Sequence, residues 1–366
     1  MNQKVIQSFH IYILQIISTG FLVHVLILPI LLSTSKRDSW LSVLFSLLPI
    51  ILWSMIIFYI YKKMDHQNDL ITFMKRKGSP SWIYSIFAFL FGLYFLFSAF
   101  ITLKFTFFWA KGNYSFEVPN LMIIILFSLV CFYSSSKGIR TISTIAMLIL
   151  PLVSFFGFFV AAGNIPNKNY ELLFPLYEDG IQDLFEGIFY SCAGLFDMTT
   201  ILFLTPFLKD KLKMKWVVLV GVILTLLTFG PLIGAISEFG VEEAAKMRNP
   251  AYEQWRLLKI GNQFTRLDFL SIFQWLSGAF VRISLSLFIA NKLLSFKKKR
   301  KWVLPILYLL LIVSACVNWD STSFFYFLQT YFFPYSLIFQ VCALLFVLLL
   351  IKLGGDRHEK SSNAKS

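Results

Sequence analysis

The sequence predicts an all-α integral membrane protein of ten transmembrane helices. Three observations carry this. Of its 366 residues, 57% are hydrophobic and 14% are charged, whereas soluble domains carry about 25% charged residues. Mean hydropathy is +0.72. Apolar runs of about 20 residues, the length that crosses a bilayer as a helix, recur at 9–32, 40–61, 82–104, 118–134, 140–162, 187–208, 216–237, 268–291, 302–318 and 334–353.

The first run follows a single basic residue, Lys4, and is too long for a secretory signal with no small-x-small site after it. It is expected to stay as an uncleaved helix. It carries Ser18-Thr19-Gly20 at mid-run, His24 one turn on and Pro29 near its end. The third run holds Tyr94, Ser98 and Thr102 at i, i+4 and i+8, a polar stripe on one helix face. Lys104 at its end is placed to snorkel to the interface.

The sixth run, GIFYSCAGLFDMTTILFLTPFL, is the most informative. It has small residues at Ser191-Cys192-Ala193-Gly194, then Asp197, the one carboxylate deep in an apolar run, then Pro206. A lone charge in hydrocarbon costs several kcal/mol or more unless it is paired, solvated or protonated. The pattern predicts a discontinuous helix with a polar group at its break, as transporters use. The eighth run contributes Gln274, Ser277, Arg282, Ser284 and Ser286. Arg282 is its deepest cation and either pairs with an anion, Asp197 being nearest by depth, or snorkels inward.

Between runs, residues 163–186 form an acidic loop with Glu171, Glu178, Asp179, Asp183 and Glu186. It reads as a solvated face or a cation-binding one. Residues 238–267 have helical apolar spacing interrupted at Pro250 and are expected as interfacial helices. The transmembrane domain covers 1–353, with halves of about 1–163 and 164–353. Residues 354–366 are polar and expected to be a disordered tail.

With the N-terminus in the cytoplasm, 22 of the 33 Lys and Arg residues fall on the inner side, which sets both termini inside. The net charge of +14 sits in short loops, so no nucleic-acid partner is implied. Cys131, Cys192, Cys316 and Cys342 all lie in apolar segments without CxxC spacing, so neither a disulfide framework nor a zinc site is indicated. There is no HExxH, Walker loop or GxSxG, so the chain is not expected to be an enzyme and no cofactor is expected.

Ten spans split into five and five, and an odd number per half inverts the second half, the arithmetic of an inverted repeat. Span 1 is then the counterpart of span 6, and both carry mid-span small residues and a later proline. His24 is open to two roles: a neutral bundle histidine or a group titrating near neutral pH.

Several stretches resemble the B subunit of spore germinant receptors, a permease-like family similar to the amino acid–polyamine–organocation transporters. They are Lys137-Gly138-Ile139-Arg140, residues Leu172 to Gly180, Leu202-Phe203-Leu204-Thr205-Pro206 and, most strongly, Gly240 to Leu287. That last stretch includes Gly240-Val241-Glu242-Glu243, Pro250, Arg256-Leu257-Leu258, Arg266-Leu267-Asp268, Trp275 and Phe280-Val281-Arg282-Ile283-Ser284-Leu285. The resemblance implies a LeuT-like bundle with broken helices 1 and 6. It implies a nutrient-sensing subunit in the spore inner membrane, acting with a larger membrane A subunit and a lipoprotein C subunit. Family binding positions fall on Tyr94 and Phe196. The family's Gly-x-Glu of span 6 reads Asp197-Met198-Thr199 here, and its span-1 small residues read Leu22-Val23-His24. Those departures imply a ligand different from that of alanine receptors.

The combined expectation is a small-molecule germinant held between spans 1, 3, 6 and 8. The candidate ligand-binding residues are Ser18, Thr19, Gly20, His24, Tyr94, Ser98, Gly194, Phe196, Asp197, Thr199, Arg282 and Ser284. Tyr94 and Phe196 are expected to wall the pocket, and breaks near Gly20 and Gly194 to offer free backbone groups. Asp197 pairs with a ligand amine, with Arg282 or with a cation. A proton- or sodium-coupled amino acid transporter and a purely structural subunit are the alternatives.

Overall fold

The computed structural model describes residues 4–64, 69–178, 180–259, 261, 266–295 and 301–363, with backbone alone from 353. The expected tail, 354–366, thus lies outside the residues whose side chains are described, as does Asp179. The protein is all-helical. Among the described residues, nine helical runs are long and apolar enough to cross a membrane, and Val303–Cys316 is a shorter apolar helix.

Span 1 comprises α1 (Ser8–Phe21), a π-helical turn at Leu22–Leu26 and α2 (Leu28–Ser35). The chain turns at Lys36, a non-glycine residue with φ +41, into α3 (Ser39–Phe45) and α4 (Leu47–Lys63). By length and composition Leu28–Lys63 reads as one 36-residue run, and it is the shortness of Val303–Cys316, 14 residues, that leaves nine rather than ten helices long enough to cross. The short α5 (Leu70–Arg76) precedes α6 (Ser81–Asn113).

α6 is longer than the sequence predicts. Lys104 does not end the span. It is 3% exposed, and its ammonium donates to the Ala315 and Val317 carbonyls, both at 2.8 Å. It caps a neighbouring helix end, where unsatisfied carbonyls favour a cation. Snorkelling is therefore replaced by capping.

Then come α7 (Asn120–Lys137) and α8 (Ile139–Gly163). Span 6 is α9 (Ile181–Leu195), a 3₁₀ turn at Phe196–Thr200, α10 (Ile201–Leu204) and a second 3₁₀ turn at Thr205–Phe207. α11 (Met214–Phe239) leads to α12 (Val241–Lys246) and α13 (Pro250–Leu257), the two short helices expected on either side of the Pro250 interruption. α14 (Leu270–Leu294) and α15 (Val303–Cys316) follow. The last span starts earlier than predicted, at α16 (Ser321–Phe327), whose N-cap Asp320 accepts from the Ser323 amide at 2.9 Å. A π turn at Leu328–Phe332 joins it to α17 (Phe333–Asn363). Pro334 follows directly on the π turn inside one continuous helical run, where its missing amide removes a ladder hydrogen bond.

Burial separates core from rim. In an apolar 18-residue stretch of Ile181–Phe207 89% of the residues are buried and in that of Ser8–Leu26 72%, against 6% in that of Ile139–Gly163. α14 packs chiefly on α6, α1 lies against α14, α8 and α11, and α9 against α2 and α3. The N-terminal segment ties down the end of span 6. The Val5 amide donates to the Phe207 carbonyl (2.9 Å), and the Lys209 amide to the Ile6 carbonyl (2.8 Å). The Ser8 amide and hydroxyl both donate to the Asp210 carboxylate.

Candidate functional site

The 3₁₀ turn at Phe196–Thr200 follows from where its carbonyls find donors. The Phe196 carbonyl accepts from the Trp53 indole at 3.2 Å and from the Thr199 hydroxyl at 2.8 Å. The Asp197 carbonyl accepts from the Gln15 amide at 3.4 Å. Side chains thus take up carbonyls that the tightened turn diverts from the α-helical ladder. Trp53 also stacks on the Phe196 ring, centroids 4.0 Å apart and 5° between planes.

The turn aims Asp197 at the bundle centre, where it is 3% exposed. Its carboxylate takes a hydrogen bond from Tyr94 on α6 at 2.7 Å and from Thr19 on α1 at 3.0 Å. Arg282 on α14 donates to the same carboxylate at 2.8 Å, with side-chain exposures of 2% and 4%. The guanidinium also donates to the Ser18 carbonyl (3.1 Å) and the Ser98 hydroxyl (2.7 Å). Gln15 donates to the Thr19 hydroxyl, and Gln340 on α17 to the Tyr94 hydroxyl at 3.2 Å. One network therefore joins α1, α6, the 3₁₀ turn, α14 and α17.

Three polar atoms in it have no hydrogen-bond partner among the described residues: Arg282 Nε, Gln15 Oε1 and Gln340 Oε1. Each such buried group costs about 1–3 kcal/mol. A buried ion pair adds little net stability, because desolvation offsets the attraction. The arrangement is therefore poorly explained as a device for holding the fold together.

Of the predicted site residues, Ser18, Thr19, Tyr94, Ser98, Asp197 and Arg282 come together, Ser18 through its carbonyl. Phe196 and Thr199 shape the 3₁₀ turn. The others do different work. Gly20 and Gly194 lie inside helices, not at breaks, and the irregular turns begin two residues later. A Cβ on Gly194 would sit 3.0 Å from Val23 Cγ1 and from Ile27 Cγ1, so this glycine permits close approach of spans 1 and 6. His24 Nδ1 is 2.9 Å from the Leu227 carbonyl on α11. Ser284 faces α7, its hydroxyl 3.4 Å from the Cys131 carbonyl. Sequence reasoning missed Gln15, Trp53 and Gln340; uncharged polar groups inside apolar runs were the available signal.

A cleft of about 320 Å³ opens beside the network, lined by Leu90, Tyr94, Phe97, Phe327, Tyr335 and Phe339 among others. Asp197 and Arg282 do not line it.

Residues 4–324 match the family described as "Spore germination protein". The chain is also similar to "Spore germination protein XB" of Bacillus anthracis, with 36% identity over 350 residues, 93% of this chain and 97% of that protein. The family match runs through α1, α6, the 3₁₀ turn and α14 and ends before Gln340 on α17. The chain belongs to the spore germination protein family.

Proposed function

We propose that the chain is the nutrient-sensing membrane subunit of a spore germinant receptor and binds an amino acid or similar small nutrient at the Asp197–Arg282 network. The buried ion pair carries this reading. A zwitterionic nutrient offers a carboxylate to Arg282 and an amine to Asp197. Each protein charge then exchanges one partner for another and none is left bare, the condition for moving buried charges at low cost. Arg282 Nε and the free amide oxygens of Gln15 and Gln340 are additional groups a polar ligand satisfies.

The proposal includes a LeuT-like five-plus-five inverted repeat, with halves of about 1–163 and 164–353. Spans 1 and 6 carry their irregular turns, π at Leu22–Leu26 and 3₁₀ at Phe196–Thr200, after helices of 14 and 15 residues. α6 and α14, the third spans of the two halves, pack on each other. Partners in this reading are a membrane A subunit and a lipoprotein C subunit in the spore inner membrane, with both termini cytoplasmic.

Dipicolinate release from spores with and without the gene, against amino acids, sugars and nucleosides, tests it. Loss of response to one nutrient class supports the receptor role. An unchanged response to every class counts against it. The second reading, a proton- or sodium-coupled amino acid transporter, is favoured by a buried carboxylate between spans 1 and 6. Uptake of labelled amino acid into proteoliposomes separates the two.

A further inference from the structure

α11 carries a proline, Pro231, in its interior. In an α-helix each carbonyl is served by the amide four residues on. Proline has no amide hydrogen, so the Leu227 carbonyl lacks its ladder donor. A side chain from another span stands in its place: His24 Nδ1 lies 2.9 Å from the Leu227 oxygen. A carbonyl only accepts, so Nδ1 carries a proton and, in the neutral ring, Nε2 does not.

Local structure brings the imidazole there. His24 is the central residue of the π turn Leu22–Leu26, in which the Ile27 amide reaches back to the Leu22 carbonyl at 3.1 Å. Gly20, one turn earlier, faces the same helix. A Cβ on it would stand 3.4 Å from Leu227 Cδ1 and 3.8 Å from Leu224 Cδ2. Another side of α1 presents Gln15, Ser18 and Thr19 to Asp197 and Arg282. Span 1 is thus anchored twice, on the ion-pair network and on the gap in α11. A third element also enters that gap: Gln254 on α13 donates to the Pro231 carbonyl at 2.9 Å, in room that Gly234 leaves for its side chain.

We propose that His24 is a positioning residue. Its Nδ1–H replaces the amide that Pro231 lacks, pins the π turn to α11, and so holds Gln15, Ser18 and Thr19 in register with Asp197 and Arg282.

Solid-state NMR of the full-length protein in lipid, with isotope-labelled histidine, reads the tautomer; the His24 signal is the one lost in His24→Asn. An Nδ1–H ring is expected, and an Nε2–H ring overturns the proposal. A mutant cycle reads the compensation. His24→Leu is expected to lower the unfolding temperature, and to lower it less when Pro231→Ala has given the Leu227 carbonyl an amide again. An equal loss in both backgrounds overturns the proposal. Asn places its amide nitrogen where Nδ1 stands, whereas Gln places it near Nε2. In spores at the wild-type protein level, His24→Asn is expected to keep the half-maximal nutrient concentration and His24→Gln to raise it several-fold. An unchanged midpoint in His24→Gln, or equal rises in both, overturns the positioning role. This last arm rests on the receptor reading. If spores without the gene respond as wild type does, that reading fails, and the tautomer and the cycle still decide whether His24 replaces the missing amide.

Discussion

Asp197 and Arg282 are 85 residues apart in the chain and meet at 2.8 Å with both side chains almost wholly buried. One comes from a 3₁₀ turn in span 6 and the other from the middle of α14. The five residues of other helices that bond to them directly, Gln15, Ser18, Thr19, Tyr94 and Ser98, lie on only two, α1 and α6.

Breaking the pair from one side strands the other charge. Asp197→Leu and Arg282→Met are each expected to lower stability by about 3–5 kcal/mol, whereas the two together cost less than either single change. Thermal unfolding of the four purified proteins measures this. Additive losses in the double variant would sink the idea that the two charges answer each other.

Tyr94→Phe removes one donor to Asp197 and the acceptor used by Gln340. A loss of about 1–3 kcal/mol is expected, with a several-fold rise in the nutrient concentration giving half-maximal response. Phe196→Leu, which loses the Trp53 stack, is expected to move in the same direction. Dose–response curves of dipicolinate release check both.

Lys104→Met leaves the Ala315 and Val317 carbonyls without their capping ammonium. The expected result is a stability loss of roughly 1–3 kcal/mol, with the nutrient dose–response midpoint unchanged because Lys104 makes no bond to the ion-pair network. A shifted midpoint at normal protein level would show that the cap is coupled to the site.

Asp268 governs an acid limb outside the spans. Burial pushes its carboxyl up, but the hydrogen bond and charge of Arg266, helped by its own backbone and Tyr114, outweigh that and hold it below the usual aspartate value. A carboxyl depressed on folding stabilises above its unfolded pKa, about 3.9, and that stability is lost as pH falls through the folded value. Asp268→Asn is therefore expected to narrow its stability deficit as pH drops from about 6 to below 4. Unfolding followed across that range is the check; a deficit that stays constant contradicts it.

The central pair was legible because charges are conspicuous in apolar runs and hydrocarbon demands that they be answered. Neutral Gln15, Trp53 and Gln340 raised no such flag, although Gln15 stands one turn before Thr19. The site of helix irregularity was less legible. It depends on donors such as Trp53 that come from another span, not on Gly20 or Gly194. Helix rotation was also hidden: α6 and α11 are apolar on most faces, so the hydrophobic pattern does not fix which side of either faces the bundle. Lys104 ended a run in the sequence because its partners, the last carbonyls of α15, belong to a helix two hundred residues away.

The most direct measurement is dipicolinate release from spores carrying Asp197→Asn at the wild-type protein level, across the nutrient panel. The account predicts loss of response, or a large rise in the half-maximal concentration, for one nutrient class and no change for the others. A dose–response identical to wild type for every nutrient would contradict the claim that this buried pair is where the nutrient binds.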